Sequence, residues 1–156
     1  MSETLTLIAP RIVTFTLWGE ATAEGRGRAA IGPSGHAMIY TPSATKKWKQ
    51  RVANAAAEAM GNASRIESGP VRLALWIYFE RPQTMIWKTR PMPEIPAERY
   101  EDWDNLGKAI SDGMNGIVYR DDRQIAEAIV RKIICAGPGY GEVRPRVVVE
   151  VGEMRG

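Results

Sequence analysis

The stretch VRLALWIYFE, residues 71–80, constrains the fold most tightly. Leu73, Leu75, Ile77 and Phe79 fall on one side of it at the two-residue repeat of a strand. Further strands are expected at RIVTFTLW, 11–18, and RVVVEV, 146–151. Two helices are predicted between them. TPSATKKWKQRVANAAAEAM, 41–60, opens on Thr41 as N-cap, with Pro42 at the first helical position. Its Ala and Lys favour a helix, and Trp48, Val52, Ala55 or Ala56 and Met60 form an apolar stripe. The second helix is expected from Asn105 to Met114, ended by Asn115-Gly116. Leu106, Ile110 and Met114 share one of its faces, with Ala109 and Gly113 beside them. QIAEAIVRKIIC, 124–135, fits either helix or strand, and strand is favoured for its second half.

The segments between are loops. GEATAEGRGRAAIGPSGHAMIY, 19–40, is glycine-rich and at most a loose hairpin. RPQTMIWKTRPMPEIPAERY, 81–100, holds four prolines and cannot be regular for long. A loop of that length in a small domain is usually functional or mobile. The whole reads as a single α+β domain over 1–156, a mixed β-sheet packed with two main helices in the order β-α-β-α-β-β. About ten N-terminal and about five C-terminal residues are expected to be less ordered.

Composition removes several chemistries. One cysteine, Cys135, excludes an internal disulfide framework and a cysteine-based zinc site. One histidine, His36, excludes a histidine triad or a two-histidine metal site. Hydrolysis would have to use carboxylates, lysine or serine. The N-terminus MSETLTLIAP lacks the basic region and apolar length of a signal peptide. No run of about 18 apolar residues is present to span a membrane. The expected setting is a reducing cytoplasm. The net charge of +3 suits an anionic partner such as nucleic acid, without requiring one.

Against that basic background all five aspartates fall in one window, EDWDNLGKAISDGMNGIVYRDD, 101–122. If Asp102-Trp103-Asp104 is extended, the two carboxylates point the same way and Trp103 turns into the core. Carboxylates held together resist joint ionisation, and a divalent cation cancels the repulsion. Hard oxygen donors suit Mg²⁺ or Mn²⁺. Asp104 would cap the helix, and Lys108 and Asp112 follow at steps of four on one face. Beside carboxylates Lys108 should stay an ammonium, fit to clamp a phosphate or stabilise developing charge. At least one of Asp121 and Asp122 could close the cation site from a second direction. Such a set fits metal-assisted phosphodiester hydrolysis. Each aspartate also has a plain structural reading: a cap at Asp104, an exposed helix end at Asp112, a turn at Asp121-Asp122.

Two basic groups invite a nucleic-acid reading. Lys46, Lys47, Lys49 and Arg51 surround the stripe of the first helix, facing phosphate or simply solvent. Trp87 interleaves with Lys88 and Arg90, to stack on DNA or to tie down a surface loop.

The segment EDWDNLGKAISDGMNGIVYRDDRQI closely resembles the core motif of RusA-type Holliday junction resolvases. That motif is D-x-D-N-L-x-K, an Asp four residues after the Lys, then D-D-x-Q-[IV]. It matches here at Asp102, Asp104, Asn105, Leu106, Lys108, Asp112, Asp121, Asp122, Gln124 and Ile125. WGEATAEGRGR resembles the family's N-terminal G-x-P-x-x-K-x-R-P-R pattern, and IYTPSATKKWKQRV its Y-T-P segment and following helix. Ala21, Glu24 and Gly27 stand where the family often has Pro, Lys and Pro, while Arg26 and Arg28 remain; Trp103 replaces a usual leucine. The Pro-rich insertion is similar to phage and prophage members.

The resemblance implies a homodimer with one acidic site per subunit, dependent on Mg²⁺ with Mn²⁺ as substitute. It implies binding of branched, four-way DNA and paired symmetric nicks in recombination and repair. Carried over, the metal ligands are Asp102, Asp104 and Asp122, with Asp121 an additional candidate and Lys108 catalytic. Arg26, Arg28, Lys46, Lys47, Lys49, Lys88 and Arg90 are the candidate DNA contacts. The alternative is a non-catalytic phage DNA-binding or packaging-accessory protein whose acidic cluster is structural.

Overall fold

A computed structural model describes residues 10–25, 28–40 and 43–154. The expected frayed ends fall mostly outside them, as do the cap at Thr41-Pro42, Arg26 and the side chain of Arg28. The strands are β1 (Ile12–Trp18), β2 (Arg28–Ile31), β3 (Ala37–Tyr40), β4 (Val71–Phe79), β5 (Ile95–Pro96), β6 (Ile125–Ile134) and β7 (Arg146–Glu153). The helices are α1 (Ser43–Met60), between β3 and β4, and α2 (Trp103–Met114), between β5 and β6.

Five strands form one sheet in the order β1-β7-β4-β6-β5. β4 and β6 run parallel and the other pairs antiparallel, so the sheet is mixed. The α+β architecture is as expected, with two additions. The 19–40 segment contains the separate hairpin β2-β3, and the proline-rich loop lends two residues, β5, to the sheet edge. The ambiguous 124–135 segment is strand from Ile125 to Ile134, because each residue from Glu127 to Ile134 pairs with β4.

The alternation read in β4 decides which face is covered. Leu73, Leu75, Ile77 and Phe79 join Val13, Phe15 and Leu17 of β1 and Val147, Val149 and Val151 of β7 in one core. Trp48, Val52, Ala56 and Met60 of α1 and Leu106, Ala109, Ile110 and Met114 of α2 close it. Both helices therefore pack on the same sheet face. They meet closely at Gly113, where an added Cβ would lie 2.7 Å from Val52 Cβ and 3.1 Å from the Lys49 carbonyl oxygen. That approach sets Lys49 of α1 beside Asp112 of α2.

The start of α2 differs from expectation. Trp103 is not extended and buried between two aspartates; it is the first residue of the helix and 62% exposed. Asp102, not Asp104, is the N-cap residue. The helix begins earlier because the Asp102 carbonyl accepts the first helical bond, from Leu106 N–H at 3.1 Å. A residue at N1 points outward here, since the buried face is already fixed by Leu106, Ile110 and Met114.

Candidate active site at the two ends of helix α2

At the N-terminal end of α2 the two carboxylates are open to solvent. Asp102 holds the cap position, yet its side chain makes no capping hydrogen bond. Asp104 Oδ1 accepts only the neighbouring Asn105 N–H, at 3.0 Å. No lysine or arginine forms an ion pair with either among the described residues. Both therefore sit at the positive end of the helix with most of their oxygen lone pairs free.

Tyr100 sets the chain's entry to this end. It is the one non-glycine residue among those described with positive φ, at 76°. Such a backbone persists only where its surroundings hold it. Here the ring lies parallel on Phe79, centroids 4.2 Å apart, and the hydroxyl donates to the Glu80 carbonyl at 3.4 Å. Nothing in the sequence marks this residue.

The C-terminal end is crowded. Lys49 Nζ lies 2.9 Å and 2.8 Å from the two Glu24 carboxylate oxygens and 3.4 Å from Asp112 Oδ2. Burial disfavours the Lys49 ammonium, but Glu24 and then Asp112 outweigh it and raise its pKa. Asp122 arrives beside Asp121 and Asp112, and its pKa is raised, first by burial and then by those two neighbours. Beneath them Tyr119 is wholly buried and donates from its hydroxyl to the Ser111 carbonyl at 2.6 Å. Burial, with Asp122 and Asp112 adding, keeps that phenol protonated.

Asp121 and Asp122 have separate roles in the turn. Asp121 caps a short 3₁₀ turn over Asp122–Gln124: its carboxylate accepts Arg123 N–H at 2.9 Å, and Gln124 Oε1 accepts Asp121 N–H at 3.0 Å. Gln124 Nε2 then donates to the Ile66 and Gly69 carbonyls. This capping box is written in the sequence as D-D-R-Q. The Arg123 N–H is the main reason that the Asp121 pKa is lowered. Asp121 is thus committed to the turn, and Asp122 is the carboxylate presented beside Asp112.

The structure joins Asp112, Asp121 and Asp122 at one end and Asp102 with Asp104 at the other. Asp104 and Asp112 are eight residues apart on the helix, about 12 Å along its axis. Among the described residues no three histidine, cysteine, aspartate or glutamate side chains converge to hold one metal ion. The donors suit a hard cation by their chemistry.

Lys108 is exposed between the two ends and forms no ion pair with a described residue. Beside it an apolar groove of about 220 Å³ runs between α2 and β6, lined by Trp103, Gly107, Ala128 and Val130 among others. Lys46 and Lys47 are exposed on α1, whereas Lys49 is turned into the carboxylates. Lys88 is exposed, and the guanidinium groups of Arg81 and Arg90 lie 5.1 Å and 4.2 Å from the half-buried Trp87 ring. The buried Arg81 also donates to the Met85 and Pro93 carbonyls, which ties down the loop. Glu24 is the functional neighbour that sequence reasoning missed: it meets Lys49 instead of standing as a lost basic residue.

No helix among the described residues is long and apolar enough to cross a membrane. The chain is 29% identical over 147 residues to the Bacillus subtilis protein YqaN, described as uncharacterized, covering 91% of this chain and 96% of that one. The model of the family Endodeoxyribonuclease RusA matches residues 19–152, a span that contains both ends of α2 and the capped turn between α2 and β6. The match covers most of the chain, and the chain belongs to the RusA endodeoxyribonuclease family.

Proposed function

We propose that this protein is a homodimeric, Mg²⁺-dependent endonuclease that resolves four-way DNA junctions by paired nicks. One observation carries the reading: the free carboxylates Asp102 and Asp104 and the presented carboxylate Asp122 lie at opposite ends of a single helix. A second copy packed antiparallel along α2 would bring each N-terminal end to the partner's C-terminal end. The exposed Trp103 and the apolar groove beside Lys108 support such a packing. A two-fold protein with two equivalent acidic sites also suits a two-fold junction.

In this reading Asp102 and Asp104, with Asp122 of the partner subunit, would hold Mg²⁺ or Mn²⁺. The ion would supply an activated water and neutralise charge on the scissile phosphate. Lys108, exposed on the same helix, clamps the phosphate by its charge. Asp121 shapes the turn that delivers Asp122. Lys49 holds Asp112 and Glu24 together, fixing α1 against the C-terminal end of α2. The exposed Lys46 and Lys47, the loop bearing Lys88 and Arg90, and Arg26 and Arg28 contact the phosphate backbone of the junction arms.

The test is cleavage of a synthetic four-way junction, beside linear duplex, with Mg²⁺ and with chelator. The expected result is paired nicks in the junction alone, and only with metal. A folded dimer that binds the junction but cuts under no metal would overturn the catalytic reading and favour a structural role for the aspartates.

A further inference from the structure

The face of the sheet opposite the helices is not bland. Along β4 its positions carry Trp76 and Tyr78, half-buried and about 6.6 Å apart along the strand. Across the strands, Trp76 pairs in register with Arg131 of β6, and Tyr78 with Arg146 of β7. Arg146 pairs in turn with Trp18 of β1. Every aromatic in this set carries a guanidinium: Arg131 at 5.1 Å from Trp76, Arg146 at 3.7 Å from Tyr78, and Arg144 at 4.0 Å from Trp18. Of these arginines, only Arg144 has a carboxylate partner among the described residues, the exposed Glu142 at 2.8 Å. The patch is thus a cationic, aromatic platform with an excess of positive charge. It lies at the C-terminal end of β4, whose last residue, Phe79, carries the Tyr100 ring on the other face of the sheet.

Neither the acidic site nor the core uses these residues. A solvated sheet face needs no three stacked arginine–aromatic pairs. An unpaired nucleic-acid strand offers the complement: flat bases that stack on aromatic rings and guanidinium planes, and phosphates for the spare charge. A rigid duplex keeps its bases stacked inside and could offer the platform only its backbone. We propose that this face is a docking platform for an unpaired DNA strand, which Trp76, Tyr78 and Trp18 receive by stacking and Arg131 and Arg146 hold by charge. The platform lets the protein keep hold of a single-stranded region adjoining a branched substrate. It does not depend on the cleavage reading, because binding here needs neither metal nor the aspartates.

The test uses the full chain and fluorescence anisotropy with a labelled oligothymidine, in chelator, beside a blunt duplex of equal length. Arg131→Glu combined with Arg146→Glu should weaken oligothymidine binding about tenfold or more, with a smaller loss for duplex. Arg72→Glu, at the other end of the same face, should change it by less than about twofold. Trp76→Leu, which keeps apolar bulk and removes the stacking ring, should also weaken the single strand selectively. Melting curves confirm that each variant folds. The proposal is overturned if the double variant binds oligothymidine as the parent does, or if single strand and duplex weaken equally. It is also overturned if sedimentation shows the double variant losing self-association, which would make the face a contact between copies. Cleavage of a fully paired junction by the double variant should persist, so failure of the platform and failure of the nuclease reading are distinct outcomes.

Discussion

The two ends of α2 are built from the same residue type and are opposites. At the N-terminal end, Asp102 and Asp104 form no ion pair with a described residue, and the positive end of the helix lies beneath them. At the C-terminal end, Asp112 is shared with Lys49, Asp121 is used by a turn, and Asp122 is pressed against both acids. The first end has no ion pair; at the second, Lys49 is shared by Glu24 and Asp112. A run of aspartates is therefore not a uniform site. Backbone hydrogen bonds and one lysine sort it into carboxylates that hold structure and carboxylates left free for a ligand.

The largest effect that would break this contrast is at Asp122. Asp122→Asn should abolish junction cutting and leave junction binding, read by a nicking assay beside a gel shift. Asp121→Asn keeps an acceptor for Arg123 N–H and should retain far more activity, because its role is the turn. Equal loss in the two variants would erase the distinction.

A second effect is on the fold alone. Gly113→Ala would drive a Cβ to 2.7 Å from Val52, at the crossing that seats Lys49 beside Asp112. The expected cost is about 1–3 kcal/mol, measured by urea unfolding. An unchanged midpoint would mean that the two helices separate freely, and that the crowded end is not fixed by packing.

Smaller effects sharpen the picture. Lys49→Met should cost ~1 kcal/mol in stability, as Glu24 and Asp112 lose the cation between them. Tyr119→Phe should also cost ~1 kcal/mol, from the lost bond to the Ser111 carbonyl. The smallest effect belongs to the exposed lysines. Lys46→Ala and Lys47→Ala should leave the melting temperature alone, and each should reduce the salt dependence of junction binding by about one unit of slope. An unchanged slope would remove α1 from the DNA surface.

Much of this was legible in sequence, for reasons particular residues make plain. The two-residue repeat of β4 and the stripes Trp48-Val52-Ala56-Met60 and Leu106-Ile110-Met114 report burial directly, so the sheet's covered face and both helices could be read. The start of α2 could not. Asp102 and Asp104 are equally good N-cap residues, and only the backbone bond from Leu106 to Asp102 decides between them. Once the helix starts at Trp103, the ring must face solvent. The Lys49–Glu24 pair was hidden too, because 25 positions separate the partners and Glu24 lies in the loop after β1, held to α2 by its N–H bond to the Asn105 carbonyl. The turn at Asp121-Asp122 was among the sequence's plain readings, and D-D-R-Q spells its capping box; which of the two aspartates the turn consumes was decided only by the Arg123 N–H bond to Asp121.

The account's central claim is that one chain supplies the N-terminal carboxylates and another the C-terminal one. The most direct measurement mixes two inactive proteins, Asp102→Asn/Asp104→Asn and Asp122→Asn, allows subunits to exchange, and assays junction nicking with Mg²⁺. In a mixed dimer with a shared site, one centre keeps Asp102, Asp104 and Asp122 all intact, so the account predicts that single-strand nicking returns. If the site lies within one chain, no mixed dimer has a complete set. Exchange demonstrated by mass, with no return of nicking, would contradict the account.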